Sequence, residues 1–323
     1  MLKIKLTNRL TSVIIAGALL SSLSLISCKK SNDNSQNSGN AKTSMGTTDG
    51  AIDDASVSGV FVTIADIKLD GQSIKGFNET TIDLAAFKNG NVRNIGNFSL
   101  QGKSYSTITF VLDYTKDSSG VAPGAYVLTT DNVKHALTSS VNTITVAKNF
   151  TLKDTAALNA LVADFDLRKM ITHPLTGDTA SFTFVTAAEL QNSVRLVDAT
   201  ESANISGTFT NTVYASDTVI AYIYKKGTYS AAELQGQGAS GILFANAVTS
   251  SVVTAGAYKL SYLDSGLYEI HFASYNDVNH NGKLVLQGIF TSSASALDIL
   301  SLVVNAKANA TVDVTTSADV SIN

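Results

Sequence analysis

Residues 58–71 read SGVFVTIADIKLDG, and the placing of their apolar side chains decides the fold class. Val60, Val62 and Ile64 alternate with Phe61, Thr63 and Ala65, and a period of two sends successive side chains to opposite faces of an extended strand. The pattern returns at Tyr105 to Leu112 and at Thr143 to Phe150, with turn-forming residues between the runs. Val, Ile, Thr, Tyr and Phe are plentiful, tryptophan is absent and only two prolines occur in 323 residues. Such a composition favours antiparallel sandwiches over helices. Short turns or helices are expected only around Asp83 to Lys88, Thr155 to Leu161 and Ala187 to Asn192, covering sandwich ends.

A boundary is expected near Asp198 to Ala203, where one set of strands closes and another opens. The second set comprises the opener Ala203 to Thr210, then Val219 to Tyr224, Ile242 to Val248, Tyr258 to Leu263, Tyr268 to Tyr275, Lys283 to Phe290 and Leu300 to Val304, with Ala310 to Thr315 after them. The fold class expected is all-β, with two antiparallel Greek-key β-sandwich domains in tandem, residues 53–200 and 201–323.

Ahead of them, Met1 to Ser27 carries Lys3, Lys5 and Arg9 before an apolar stretch from Leu10 to Ile26, the layout of an export signal. Leu25, Ile26 and Ser27 before Cys28 resemble the lipobox of bacterial lipoproteins, and Cys28 is the chain's one cysteine. Having no partner for an internal disulfide, it is the expected site of lipid attachment, with residues 1–27 removed. The alternative is an uncleaved transmembrane anchor, which a serine-interrupted run of this length fits poorly. Several acyl chains together make membrane attachment durable, at about 0.8 kcal/mol per buried methylene. Lys29 follows the cysteine, and by the sorting rule known for enterobacterial lipoproteins this points to the outer membrane. Residues 28–52 are mostly polar and small and read as a flexible tether. Cleavage removes three basic residues from 23 against 26 acidic ones, leaving 20 against 26 and a net charge of −6. An acidic body without a basic cluster excludes nucleic acid as a partner.

Two families are resembled. Ser58 to Gly71, with Thr81-Ile82-Asp83-Leu84, Lys88-Asn89-Gly90 and Asp164-Phe165-Asp166-Leu167-Arg168-Lys169, resembles the domain-of-unknown-function 4382 family over about Asp53 to Asp198. One departure is Gln101 to Tyr105, where that family usually has a proline-glycine turn. Gly256 to Leu260, Leu263 and Gly266 to Ile270 resemble the strand pair of carboxypeptidase-regulatory and other prealbumin-like modules, grouped with carbohydrate-binding-like folds. Fold likeness implies no particular activity.

Candidate chemistry is sparse. Asp277, Asn279 and Asn281 ahead of Gly282 place oxygen ligands as a Ca²⁺ loop begins, but position twelve is Gly288 rather than an acid, so a polar hairpin is the favoured reading and any calcium affinity is weak. Asp164 and Asp166 share a strand face, which invites a general acid/base reading; the favoured one has Asp164, Asp166 and Arg168 on a solvated face. His135, His173, His271 and His280 are scattered, without metal-ligand spacing. Tyr222 and Tyr224 share a strand face and are candidates for stacking on a glycan, Tyr229 following nearby. Thr155, Thr179 and Thr218 each follow an aspartate in a pattern that resembles a bacterial O-glycosylation acceptor, which implies solvent-facing loops. No serine elbow, phosphate loop or dinucleotide fingerprint occurs. The expected function is a non-catalytic cell-envelope lipoprotein that binds a protein or glycan partner, the alternatives being a structural spacer and a hydrolase of envelope polymers.

Overall fold

The computed structural model describes residues 39–173, 181–211, 218–295 and 299–321. Cys28, the export segment and Thr179 therefore lie outside the described residues. Within Ser38–Asn323, one compact unit, the chain builds two β regions.

The first region is organised around the strand Val57–Leu69, which contains the alternating run of residues 60–65. It pairs antiparallel with Ser104–Asp113, Ala125–Thr129 and Thr80–Asp83, and Thr143–Thr151 extends the sheet beyond Ser104–Asp113. A second sheet runs in the order Val194–Asp198, Asn159–Phe165, Asn40–Asp49, Arg93–Gln101. Val60, Val62, Ile64, Ile67, Phe110 and Phe165 share one core with side chains of both sheets. Phe110 of the first sheet meets Phe165 of the second edge-on at 5.4 Å, so these two layers form a sandwich.

Two expectations are corrected here. Composition makes residues 28–52 a tether, yet Asn40–Asp49 is an inner strand, hydrogen-bonded to a neighbour on each edge. Burial of its polar residues is satisfied in part: Thr48 Oγ1 donates to Phe87 O at 2.9 Å or Asn91 O at 2.7 Å, whereas the buried Thr47 Oγ1 has no hydrogen-bond partner among the described residues. Nor are the sheets wholly antiparallel. Asn40–Asp49 runs parallel to Asn159–Phe165, and Ala203–Asn211 runs parallel to Asn309–Thr311 and Val314–Ser321.

The second region is one sheet, ordered Thr249–Val252, Thr218–Lys225, Gly266–Asn276, Val285–Ser295, Val314–Ser321, Ala203–Asn211, Ala257–Leu263. Its ends come together over a shared core, in which Phe209 stacks on Phe272 at 4.6 Å and Tyr258 meets Phe272 edge-on at 5.1 Å. Strand Thr218–Lys225 is buried on both faces. Ala221 and Ile223 point into that core, while Ile220, Tyr222 and Tyr224 point into another cluster with Phe244, Ala247, Tyr275 and Leu284. The run VIAYIY is continuously apolar for that reason.

Residues 242–248, expected as a strand, are instead an irregular cover over this outer face, and the strand begins only at Thr249. Phe244 takes a positive φ of 51° there, which turns the backbone so that its ring can enter the cluster. Of the expected helical stretches, residues 83–88 contain one 3₁₀ turn, Leu84–Ala86, and residues 187–192 contain Ala187–Leu190. Residues 155–161 are not helical: strand Asn159–Phe165 starts within them.

Candidate functional site

The acidic-aromatic-acidic segment Asp164 to Lys169 lies where the two β regions meet. Asp164, Asp166 and Arg168 are each under a tenth exposed, which corrects their expected place on a solvated face; the second region covers that face. Asp164 sits opposite Arg195 in the register of strands Asn159–Phe165 and Val194–Asp198. Arg195 Nε and Nη2 reach Asp164 Oδ2 at 2.7 and 2.6 Å, and its guanidinium also donates to Ser261 O at 3.0 Å and Tyr262 O at 2.5 Å. Arg168 pairs with Asp166 at 2.9 Å, lies 5.1 Å from the Tyr222 ring centre and donates to Leu243 O at 2.5 Å and Phe244 O at 3.1 Å. Lys169 donates to Ala247 O at 2.5 Å and lies 3.4 Å from Asp166. Three cations of the first region thus hold backbone carbonyls of the second, each backed by a buried carboxylate.

Burial raises the pKa of Asp164 against the pull of Arg195. Asp49, beside them, accepts a hydrogen bond from Leu167 N at 3.2 Å; burial, with the charges of Asp164 and Asp166 adding to it, raises its pKa well above the usual range. Burial lowers Lys169, opposed by Asp166. Within this seam Asp166 Oδ1 and Arg168 Nε are buried without a hydrogen-bond partner.

A second set of polar contacts ties the regions together nearby. Thr186 and Glu189 form a reciprocal capping box on Ala187–Leu190. Glu189 also accepts from Ser240 N at 3.0 Å and Ser240 Oγ at 2.5 Å. Desolvation works against ionisation here, but the bonds from Ser240 and Thr186 outweigh it and take Glu189 down to about 2. Glu233, fully buried, accepts from Tyr224 Oη at 3.0 Å, Asn246 N at 3.0 Å and the Gln237 amide, fixing the cover of residues 231–246.

Between these anchors runs a groove of about 730 Å³ walled by both regions. Ile171, Phe184, Ile242 and Leu286 give it apolar surface, with Asp53 and Lys283 among its polar residues. Its histidine, His173, bonds Asp54 Oδ2 at 2.5 Å and stacks on Phe182 at 4.2 Å. The sequence pattern does not bring these residues together as a groove, because the walls come from segments distant in the chain.

Other expected sites fare differently. Tyr222 and Tyr224 are fully buried, so neither is a glycan platform. Tyr222 stacks on Phe244 at 4.0 Å and its hydroxyl meets that of Tyr275 at 2.6 Å. Period two puts both on one face of their strand, and the cover of residues 231–247 lies over that face. In the Asp277 loop, the carboxylate accepts from Asn281 N at 3.0 Å and Gly282 N at 2.8 Å, while Asn281 Oδ1 accepts from Lys283 N at 3.0 Å. These oxygens are turned onto the loop's own amides, as in a polar hairpin, and Asn279 is exposed. Among the described residues no group of three His, Cys, Asp or Glu converges as metal ligands would. His135 packs edge-on to Phe182 at 5.2 Å and His271 stacks on Tyr229 at 3.7 Å. His280 lies in the Asp277 loop with φ of 52°. Thr155 is exposed, whereas Thr218 is half-buried at the start of a strand rather than in a loop.

No curated protein matches the chain. Among solved structures it is similar to the Bacillus anthracis TIE protein, at 12% identity over 86% of this chain and 34% of that one, with a TM-score of 0.18. A leucine-rich repeat protein from Bacteroides thetaiotaomicron matches at 10% identity over 87% of this chain and 26% of that one, TM-score 0.21. The chain thus spans about a third and about a quarter of these two proteins. A putative cell adhesion protein from Bacteroides eggerthii matches at 13% identity over 87% and 88% of the two chains, TM-score 0.21. A family model also matches, from the inner strand Asn40–Asp49 to Phe184 in the groove wall: residues 40–184 are similar to a domain of unknown function, DUF4382.

Proposed function

We propose that this protein is a cell-envelope lipoprotein, anchored in the outer membrane through acylated Cys28, whose β body binds a partner protein in the groove between its two regions. The groove carries the reading. Its volume of about 730 Å³ lies within the range of about 300–1,000 Å³ usual for binding clefts. An apolar lining with charged groups beside it suits an inserted peptide segment with an apolar anchor. Buried ion pairs fix both walls, so the cleft is formed before a partner arrives and little ordering is needed on binding.

The purified body, residues 39–323, is to be panned against a displayed peptide library. Enriched peptides are expected to carry a bulky apolar residue and to bind Ile242→Ser and Leu286→Ser variants at least tenfold more weakly, with melting temperatures near that of the parent. Failure to enrich any peptide, or equal binding by the variants, would leave a spacer role. Anchoring has its own test: in cells, Cys28→Ala is expected to abolish fatty-acid labelling and to move the protein from the membrane to the soluble fraction.

A further inference from the structure

At one end of the first β region, two clefts of about 480 and 460 Å³ adjoin, with Asp70 and Tyr105 lining both. Tyr105 is sandwiched. Phe150 stacks on it at 5.5 Å with 18° between the rings, and Lys103 Nζ lies 4.8 Å from its centre. Its hydroxyl donates to Gln101 O at 2.9 Å, which fixes the ring. Phe150 is only partly buried and lines the first cleft with Asn149 and Ser104.

The strand carrying Phe150 is irregular at this point. Tyr105 pairs with Phe150 and Thr107 with Ala147, so Lys148 and Asn149 together oppose the single residue Ser106. That is a β-bulge, and a bulge re-aims side chains. In a regular strand Asn149 and Phe150 would point to opposite faces; here both line one cleft.

Asp70 contributes an oriented acceptor. It occupies a turn with φ of 46°, and its Oδ1 accepts from Ser106 N and Oγ at 2.9 Å each and from Thr107 N at 3.0 Å. Those bonds hold the carboxylate ionised and pinned, and they leave Oδ2 without a hydrogen-bond partner among the described residues. Backbone bonding from Ser106 is the main reason that its pKa is lowered, so the negative charge persists into mild acid.

We infer that this end of the molecule is a glycan-binding site, with Phe150 stacking on a pyranose face and Asp70 and Asn149 bonding its hydroxyls. An aromatic face suits the C–H side of a sugar, and a fixed carboxylate and an amide suit a pair of neighbouring hydroxyls. Lys103 and Lys75, which line the second cleft, supply donors to a further residue of the chain. Two adjoining clefts accommodate an oligosaccharide rather than a monosaccharide. This site shares no residue with the groove between the regions, so either reading can fail alone.

The test is a screen of the body, residues 39–323, against neutral oligosaccharides, followed by calorimetric titration of whichever binds. Phe150→Ala, Asn149→Ala and Asp70→Asn are each expected to weaken binding at least tenfold, while the groove variant Leu286→Ser leaves it unchanged. Asn149 is exposed, so Asn149→Ala checks the site in a protein that keeps the parent's melting temperature. Absence of binding to every oligosaccharide, or binding that survives Phe150→Ala and Asn149→Ala, would overturn the inference.

Discussion

Asp49 is 5% exposed and faces two more carboxylates, a costly place for an ionised group. The sign of its effect follows from its raised pKa. A carboxyl that is harder to ionise in the folded state contributes stability while protonated, below its unfolded pKa of about 3.9, and loses it as pH rises through the folded value. Asp49→Asn keeps an oxygen to accept from Leu167 N and removes the charge. The variant is therefore expected to be more stable at pH 7 by about 1 kcal/mol, with the difference vanishing near pH 4. Urea unfolding at several pH values checks this, and equal stabilities at pH 7 would show that the buried charge is compensated. Glu189 acts oppositely. Lowered from 4.5 to about 2, it contributes stability above about pH 4.5 that is lost as pH falls towards 2, so both proteins retain an acid limb. From the sequence, Asp164 and Asp166 looked like a solvated pair because carboxylates are usually exposed; Arg195, 31 residues from Asp164, is the partner that permits burial, and nothing in the local pattern reveals it.

Asn40–Asp49 shows how an element can be hidden from a compositional reading. NAKTSMGTTD has two bulk-poor apolar residues beyond Met45, and polar stretches of this kind usually stay unfolded. The strand forms because neighbours on both edges satisfy its backbone and because threonine suits the pleated, half-buried setting. A chain truncated to begin at Asp53 would expose the facing edges of Asn159–Phe165 and Arg93–Gln101 and uncover Phe98 and Leu161. It is expected to lose the cooperative transition of residues 39–323 and to aggregate, as open edges do. Circular dichroism with light scattering on the two chains decides it, and a monomeric truncation with an unchanged melting temperature would refute it. Elements with strong alternation were legible: Val57–Leu69, Ser104–Asp113 and Gly266–Asn276 all lie on runs read from the sequence. The glycan candidate was misplaced for a related reason. Period two identifies the face on which Tyr222 and Tyr224 lie, but burial depends on the cover from residues 231–247, whereas Phe150 comes into view only through a bulge that breaks the period.

At the scale of the molecule, the question is whether the two β regions unfold as one. Their cores are separate, but the seam joining them contains Asp49, Asp164, Asp166, Arg168, Lys169 and Arg195, three carboxylates against three cations. Buried ion pairs add little net stability over a well-packed apolar seam, yet removing one partner is costly because the other charge is left alone. Arg168→Ala would leave Asp166 to Lys169, 3.4 Å away, and free the carbonyls of Leu243 and Phe244, and the expected loss is about 3 kcal/mol, the lower end for a broken buried pair. The loss should not be spread evenly. If the seam is the coupling element, the parent melts in a single calorimetric transition, and Arg168→Ala resolves it into two, the lower belonging to the region that loses its cover over Tyr222. Arg168→Met, which replaces the charge with an apolar chain and leaves Asp166 to Lys169, should sit with Ala; the triple variant Asp166→Leu/Arg168→Met/Lys169→Met should regain most of the stability, since it removes all three charges together. A parent that already melts in two steps would mean that the regions are energetically independent despite the seam, and the groove between them would then be a mobile cleft rather than a formed one.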